Sequence, residues 1–293
     1  MKHDPKILLK PGRALRLKDF DPGYTSAFKN RKDAKDKLAA DIERMAALQD
    51  KFYAENRSAL LIIFQAMDAA GKDSTIKHVM SGINPQGCQV FSFKQPSALE
   101  LSHDFLWRTT QCLPQRGMIG IFNRSYYEEV LVTRVHPELL VKQNLPGINS
   151  PGDIPKYFWK GRLAQINSYE KILTENGTRV LKFFLHLSRQ EQKKRFIERI
   201  DNPEKNWKIA MADARERACW HDYQKAYEEA LTATSTAAAP WYIIPADNKW
   251  FMRTAVGDII AKTLKELKPE YPVTAGAQAA ERARIKRLLL NER

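Results

Sequence analysis

Lys72 is the side chain around which chemistry can be assembled. It lies in the run Met67-Asp68-Ala69-Ala70-Gly71-Lys72-Asp73-Ser74-Thr75, a small-residue loop that ends in Gly-Lys and passes into helical spacing. Backbone N–H groups of such a loop and of the following helix N-terminus point at an anion, and the lysine adds a charge that follows a moving phosphate. Ala69, Ala70, Gly71, Asp73, Ser74 and Thr75 are therefore expected around a phosphate, with Lys72 and Asp68 as reacting-site side chains. The pattern departs from G-x-x-x-x-G-K-[ST] twice, with Ala66 at the first glycine and Asp73 at the final hydroxyl. Alone it would suit an ordinary helix start with a solvated lysine. Its context favours the phosphate site, because it directly follows Leu60-Leu61-Ile62-Ile63-Phe64, an apolar run that reads as a strand buried on both faces.

A second cluster follows another apolar run, residues 117–122: Asn123-Arg124-Ser125-Tyr126-Tyr127-Glu128-Glu129. Ligands of open parallel sheets bind beyond the carboxyl ends of strands, so this cluster belongs beside Lys72. P-loop enzymes usually place an acidic Mg²⁺ ligand here. Asn123 stands in that place, which leaves Asp68, Asp73 and Glu128 as candidate metal or acceptor ligands. Arg124 and Arg134 flank them as expected phosphate clamps. Arg108, one turn beyond Asp104, reads equally as a local ion-pair partner or a phosphate ligand. Glu128 is about one helical turn from Arg124, so it either faces the P-loop cleft or pairs with that arginine at the surface.

The elements that must position these groups alternate. Strands are expected near residues 60–65, 88–93, 117–122, 178–187 and 241–246, separated by helices. This is a three-layer α/β/α P-loop kinase with a mostly parallel five-stranded sheet. Residues 1–56 read as a basic extended arm followed by an amphipathic helix at 30–55, and 57–268 as the kinase domain. Within it, 188–231 form two charged helices around Asp201-Asn202-Pro203-Glu204-Lys205-Asn206-Trp207-Lys208, with the composition of a lid over phosphates. Residues 269–293 carry a final basic helix, expected from Ala275 to Arg293 and packed on the body or on another subunit through Ile285, Leu288 and Leu289.

The 293 residues carry 48 lysines and arginines against 34 acidic residues, a net charge of +14, which points to a polyanionic partner. Cys88, Cys112 and Cys219 show neither metal nor redox spacing. No apolar run approaches the roughly 18 residues of a membrane span, and a cytoplasmic location is expected, with no membrane partner.

Three motifs in order, the run 67–75, Asn123-Arg124-Ser125-Tyr126-Tyr127-Glu128-Glu129-Val130 and the run 201–208, resemble the second family of polyphosphate kinases over about residues 60–262. The resemblance implies a thymidylate-kinase-like fold with a helical lid, and phosphoryl transfer between inorganic polyphosphate and nucleoside mono-, di- and triphosphates. It implies Mg²⁺, with Mn²⁺ as a substitute, and a homo-oligomer, dimer or tetramer. Lys72 and Asp68 match the family's loop residues, and Arg124 matches the arginine of its Asp-Arg-Ser motif, from which Asn123 departs. Asn123, Asp73 and Glu128 together resemble the subclass that phosphorylates both mono- and diphosphates. The lid cations fall on Arg195, Arg199 and Lys208.

Two other readings share some of these features. An ATP-dependent nucleotide or nucleoside kinase would have the same fold, but the basic lid is excessive for one triphosphate. A nucleic-acid-binding NTPase would need an acidic pair where Asn123-Arg124 stands, so no nucleic-acid partner is expected.

Overall fold

The computed structural model describes residues 1–26, 28, 30–273 and 276–292. Its sheet is built from β1 (Leu8–Leu9), β2 (Ala59–Ala66), β3 (Cys88–Ser92), β4 (Ile119–Asn123), β5 (Thr178–His186) and β6 (Trp241–Pro245). The spatial order is β1-β6-β5-β2-β4-β3, parallel throughout except for β1, which pairs antiparallel with β6 at the edge. Five of these strands are those expected. The sixth comes from the N-terminal arm, whose Ile7, Leu9, Leu15, Leu17 and Phe20 are all buried. The arm's prolines suggested an extended segment, but its apolar residues make it part of the core.

β2 is central and its side chains enter both cores. Leu60, Ile62 and Phe64 join the cluster that includes residues of the helices Arg31–Glu55 and Lys249–Leu267. Leu61 and Ile63 join the opposite cluster, under the helices Glu128–Val135, Phe158–Glu175 and Trp220–Thr234. A strand covered on both faces has no polar side, which is why β2 reads as a continuous apolar run.

Local chemistry sets several boundaries. Asn30 caps the first long helix by accepting from the Asp33 N–H, and Ser97 with Glu100 forms a capping box. The chain beyond Ser97 forms two short helices, Ala98–Leu101 and Trp107–Thr110. The lid's second helix is split, into Met211–Ala218 and Trp220–Thr234, because the chain leaves helical geometry at Cys219. The terminal helix runs Ala277–Leu290; the expected ends Ala275 and Arg293 lie outside the described residues. Ile285, Leu288 and Leu289 are exposed, so packing on the body is not what they do. Among the described residues, no helix is long and apolar enough to cross a membrane.

Candidate functional site

Strands β2, β4 and β5 run parallel, and their C-terminal ends deliver the P-loop, the Asn123–Glu128 turn and the first lid helix, Arg189–Asp201, to one edge. The P-loop leaves β2 at Ala66 and enters the helix Lys72–Val79 through Gly71, whose φ of +101° suits glycine and strains other residues. Ala69 is also left-handed, at φ +62°.

The loop is gripped from behind by the lid helix. Gln192 Nε2 donates to the Asp68 carbonyl at 3.0 Å, and Arg195 Nη1 donates to the carbonyls of Ala69 and Ala70 at 3.2 and 2.9 Å. Arg195 also donates through Nη2 to Ala246 and Asp247 and through Nε to Glu191. All three of its nitrogens are engaged with protein, so this expected polymer ligand acts here as a clamp on the P-loop. Carbonyl oxygens repel phosphate, and turning them into the protein leaves the loop's anion-facing side to its N–H groups. Ser74 and Thr75 both donate their hydroxyls to the Gly71 carbonyl.

Lys72 Nζ rests 3.2 Å from the Ala66 carbonyl. Burial holds its pKa below the ordinary lysine value, helped by Arg124 and opposed by Asp68, Glu128 and Asp73. Arg124 sits at φ +65° on the turn after β4, with its N–H bonded to the Phe64 carbonyl of β2. Its guanidinium pairs with Asp68 at 3.3 Å. Burial opposes its charge, but Glu128 and Asp68 outweigh that and raise its pKa. Asn123 Nδ2 donates to Asp73 at 2.7 Å, while its buried Oδ1 has no hydrogen-bond partner among the described residues. Glu128 accepts from Gln65 Nε2 at 3.0 Å and lines the two cavities beyond Arg124, so of its two expected placements it takes neither the P-loop cavity nor a surface hydrogen bond to Arg124.

Three cavities meet at Arg124. The largest, about 620 Å³, lies over the P-loop and under the lid. Among the described residues its wall carries eight cationic side chains, including Lys72, Arg124, Arg199 and Lys208, against four carboxylates, two of them Asp68 and Asp73. A second, about 170 Å³, is bounded by Asp68, Glu128, Arg217, Tyr223 and Tyr227. The third, about 240 Å³, has apolar walls of Phe93, Pro96, Leu101, Val132 and Leu139 with Arg108, Glu128 and Gln143 among them.

Two expected phosphate ligands are placed elsewhere. Arg108 is buried, donates to the Lys94 carbonyl at 2.7 Å, lies over Phe93 and walls the apolar cavity. Arg134 pairs with Glu229 at 2.7 Å and lines a separate groove with Lys156, Trp159 and Lys160. Six residues beyond Glu128 on one helix puts Arg134 about 120° away round the axis, on a different face of the helix. Lys94 and Lys249, unnoticed in the sequence, line the P-loop cavity. Each lies just beyond the C-terminal end of a strand, β3 and β6, and the rule that located Asn123 would have found both.

The family model for polyphosphate kinase 2 matches residues 28–272. An ADP-polyphosphate phosphotransferase of Rhodopseudomonas palustris is 56% identical over 253 residues, 86% of each chain. An AMP/ADP-polyphosphate phosphotransferase of Meiothermus ruber is 44% identical over 268 residues, 91% of this chain and 95% of its own. The crystal structure of polyphosphate kinase 2 from Arthrobacter aurescens superposes with a TM-score of 0.85 at 41% identity, over 95% of both chains. With the P-loop, the Asn-Arg-Ser turn and the basic lid on one sheet edge, this chain belongs to the polyphosphate kinase 2 family.

Proposed function

We propose that this enzyme transfers phosphoryl groups reversibly between inorganic polyphosphate and nucleotides, making ATP from both AMP and ADP. The observation that carries this reading is the P-loop cavity's excess of cations over carboxylates, which suits a polyanion running past Lys72. The acceptor's nucleoside goes into the apolar cavity on the other side of Arg124, and its phosphate meets the donor at that arginine.

An oxygen of the acceptor phosphate attacks the terminal phosphorus of the polymer; the new P–O bond forms as the bond to the shortened polyphosphate breaks. The accepting phosphate is already largely ionised near neutral pH, since its second pKa is about 6, so no strong general base is required. Lys72 follows the transferring group and Arg124 neutralises charge between donor and acceptor. Arg199, Lys205, Lys208 and Lys249 hold the polymer's remaining phosphates.

Mg²⁺, or Mn²⁺ in its stead, belongs to the proposal. Asp68 and Asp73 would hold it, and the partnerless Asn123 Oδ1 is an acceptor suited to metal-bound water. Among the described residues no three His, Cys, Asp or Glu side chains form a metal group, so Glu128 is not kept with Asp68 and Asp73 as a ligand, and an ion held by one or two carboxylates completes its shell with phosphate and water. When bound, the ion would neutralise phosphate charge. A cytoplasmic homo-oligomer, associating through the exposed Ile285, Leu288 and Leu289, completes the reading.

The test is a luciferase assay of purified protein with polyphosphate and Mg²⁺ and either AMP or ADP. ATP should form from each without any nucleoside triphosphate. If ATP forms only when another triphosphate is supplied, the ordinary kinase reading replaces this one.

A further inference from the structure

Beneath the turn that carries Arg124 lies a charged network whose residues line none of the three cavities that meet at Arg124. Lys182, in the middle of β5, is fully buried, and Glu170 of the helix Phe158–Glu175 is 1% exposed. Lys182 Nζ donates to Glu170 Oε2 at 2.6 Å, to the Tyr127 hydroxyl at 3.1 Å and to the Thr234 carbonyl at 2.7 Å. The hydroxyls of Tyr126 and Tyr127 converge on the other carboxylate oxygen, donating to Glu170 Oε1 at 2.9 and 2.8 Å. Both tyrosine rings are wholly buried.

A buried ion pair is a poor way to gain stability, because desolvation offsets most of the attraction and a well-packed apolar set of the same volume often does as well or better. Its value must be sought in what it orients. The two tyrosines stand between Arg124 and Glu128 in sequence, so their side chains root one turn from below while Arg124 and Glu128 reach the cavities above. Arg124 holds φ +65°, a strained conformation for a residue with a side chain, which persists only where the surroundings over-determine it. Two hydroxyls meeting at one oxygen of a carboxylate whose other oxygen is held by Lys182 supply that over-determination.

We propose that Glu170 and Lys182 are positioning residues, which hold Arg124 and Glu128 in their reactive placement through the hydroxyls of Tyr126 and Tyr127. Neither touches substrate. A single change at Glu170 or Lys182 would strand its partner's charge in the core, so the informative variants remove the tether without stranding a charge.

The first is Tyr126→Phe/Tyr127→Phe, which keeps the ion pair. The second adds Glu170→Leu and Lys182→Met, replacing the whole network by apolar side chains. Both should unfold within a few degrees of the wild type. Both should show kcat lowered about tenfold with AMP and with ADP, while KM for polyphosphate moves less than twofold. Amide hydrogen exchange at residues 123–128 should speed up at least tenfold in both, with β2 and β5 unchanged. Wild-type kcat and exchange in either variant, at wild-type thermal stability, would overturn the proposal and leave the network as core packing. If the fourfold variant does not fold, the two-tyrosine variant decides. The kcat arm rests on the phosphotransfer reading, whereas the exchange arm does not. An inactive wild type with accelerated exchange in the variants would refute the reaction and retain the tether.

Discussion

The cavity over the P-loop and the apolar cleft beyond Arg124 share one wall and are made of different materials. The first is about 620 Å³ and lined by lysines and arginines drawn from the P-loop, three other strand ends and the lid. The second is about 240 Å³, and its apolar walls come from the segments after β3 and from the helices that follow β4. A flexible polyanion needs charge spread along a wide path, with little demand on shape. A nucleoside has a ring to desolvate and little charge, so it needs a narrow apolar slot. Arg124 lines both, where the proposed transfer would carry charge from one ligand to the other, while Lys72 lines only the first.

That contrast can be broken by substitution. The largest effect is expected from Lys72→Ala, which removes the charge proposed to follow the transferring phosphoryl group. It should lower kcat on the order of 100-fold or more with either acceptor and leave the thermal transition in place. Near wild-type turnover would move the reaction away from the P-loop cavity altogether.

Glu128→Asn should come next. Glu128 lines the two cavities beyond Arg124 and not the P-loop cavity, so its loss should act on the acceptor. A monophosphate and a diphosphate place their accepting oxygens at different depths, and the ratio of kcat/KM for AMP to that for ADP should change by about tenfold, or roughly 1.4 kcal/mol. Equal losses with the two acceptors would make Glu128 a mere partner of Gln65.

A matched pair of smaller changes sharpens the division between cavities. Leu101→Ala should raise KM for the nucleotide about fivefold and leave polyphosphate binding alone, since it trims only the apolar wall. Lys208→Ala should weaken polyphosphate binding and flatten its log–log salt dependence by a slope of about 0.7, the loss of one counterion-releasing contact to a single-stranded polyanion. Nucleotide KM should stay put. If each variant disturbed both ligands equally, the two cavities would be one site.

The sequence by itself determined whatever rests on near neighbours along the chain. The apolar run before Gly71-Lys72 and the alternation of strands with helices both follow from backbone sterics and local patterning. So did the kinase architecture, because a parallel strand buried on two faces leaves few alternatives. The Asn-Arg-Ser turn was legible for the same reason: it stands at a strand's carboxyl end.

Only the tertiary structure decided which charges face a ligand. Arg195 and Arg199 lie one helical turn apart and read alike in sequence, yet Arg195 is spent on P-loop carbonyls more than 120 residues earlier in the chain. Arg134 and Arg124 flank the same motif, but helix rotation sends Arg134 to Glu229. Lys182 interrupts an apolar strand, a visible signal, but its partners Glu170, Tyr127 and Thr234 come from three other segments. A charged side chain is long enough to satisfy itself in several directions, and what it meets is set by elements packed against it from afar. Local pattern therefore locates a charge on the chain, whereas long-range packing decides whether that charge is free to meet phosphate or already bound to protein.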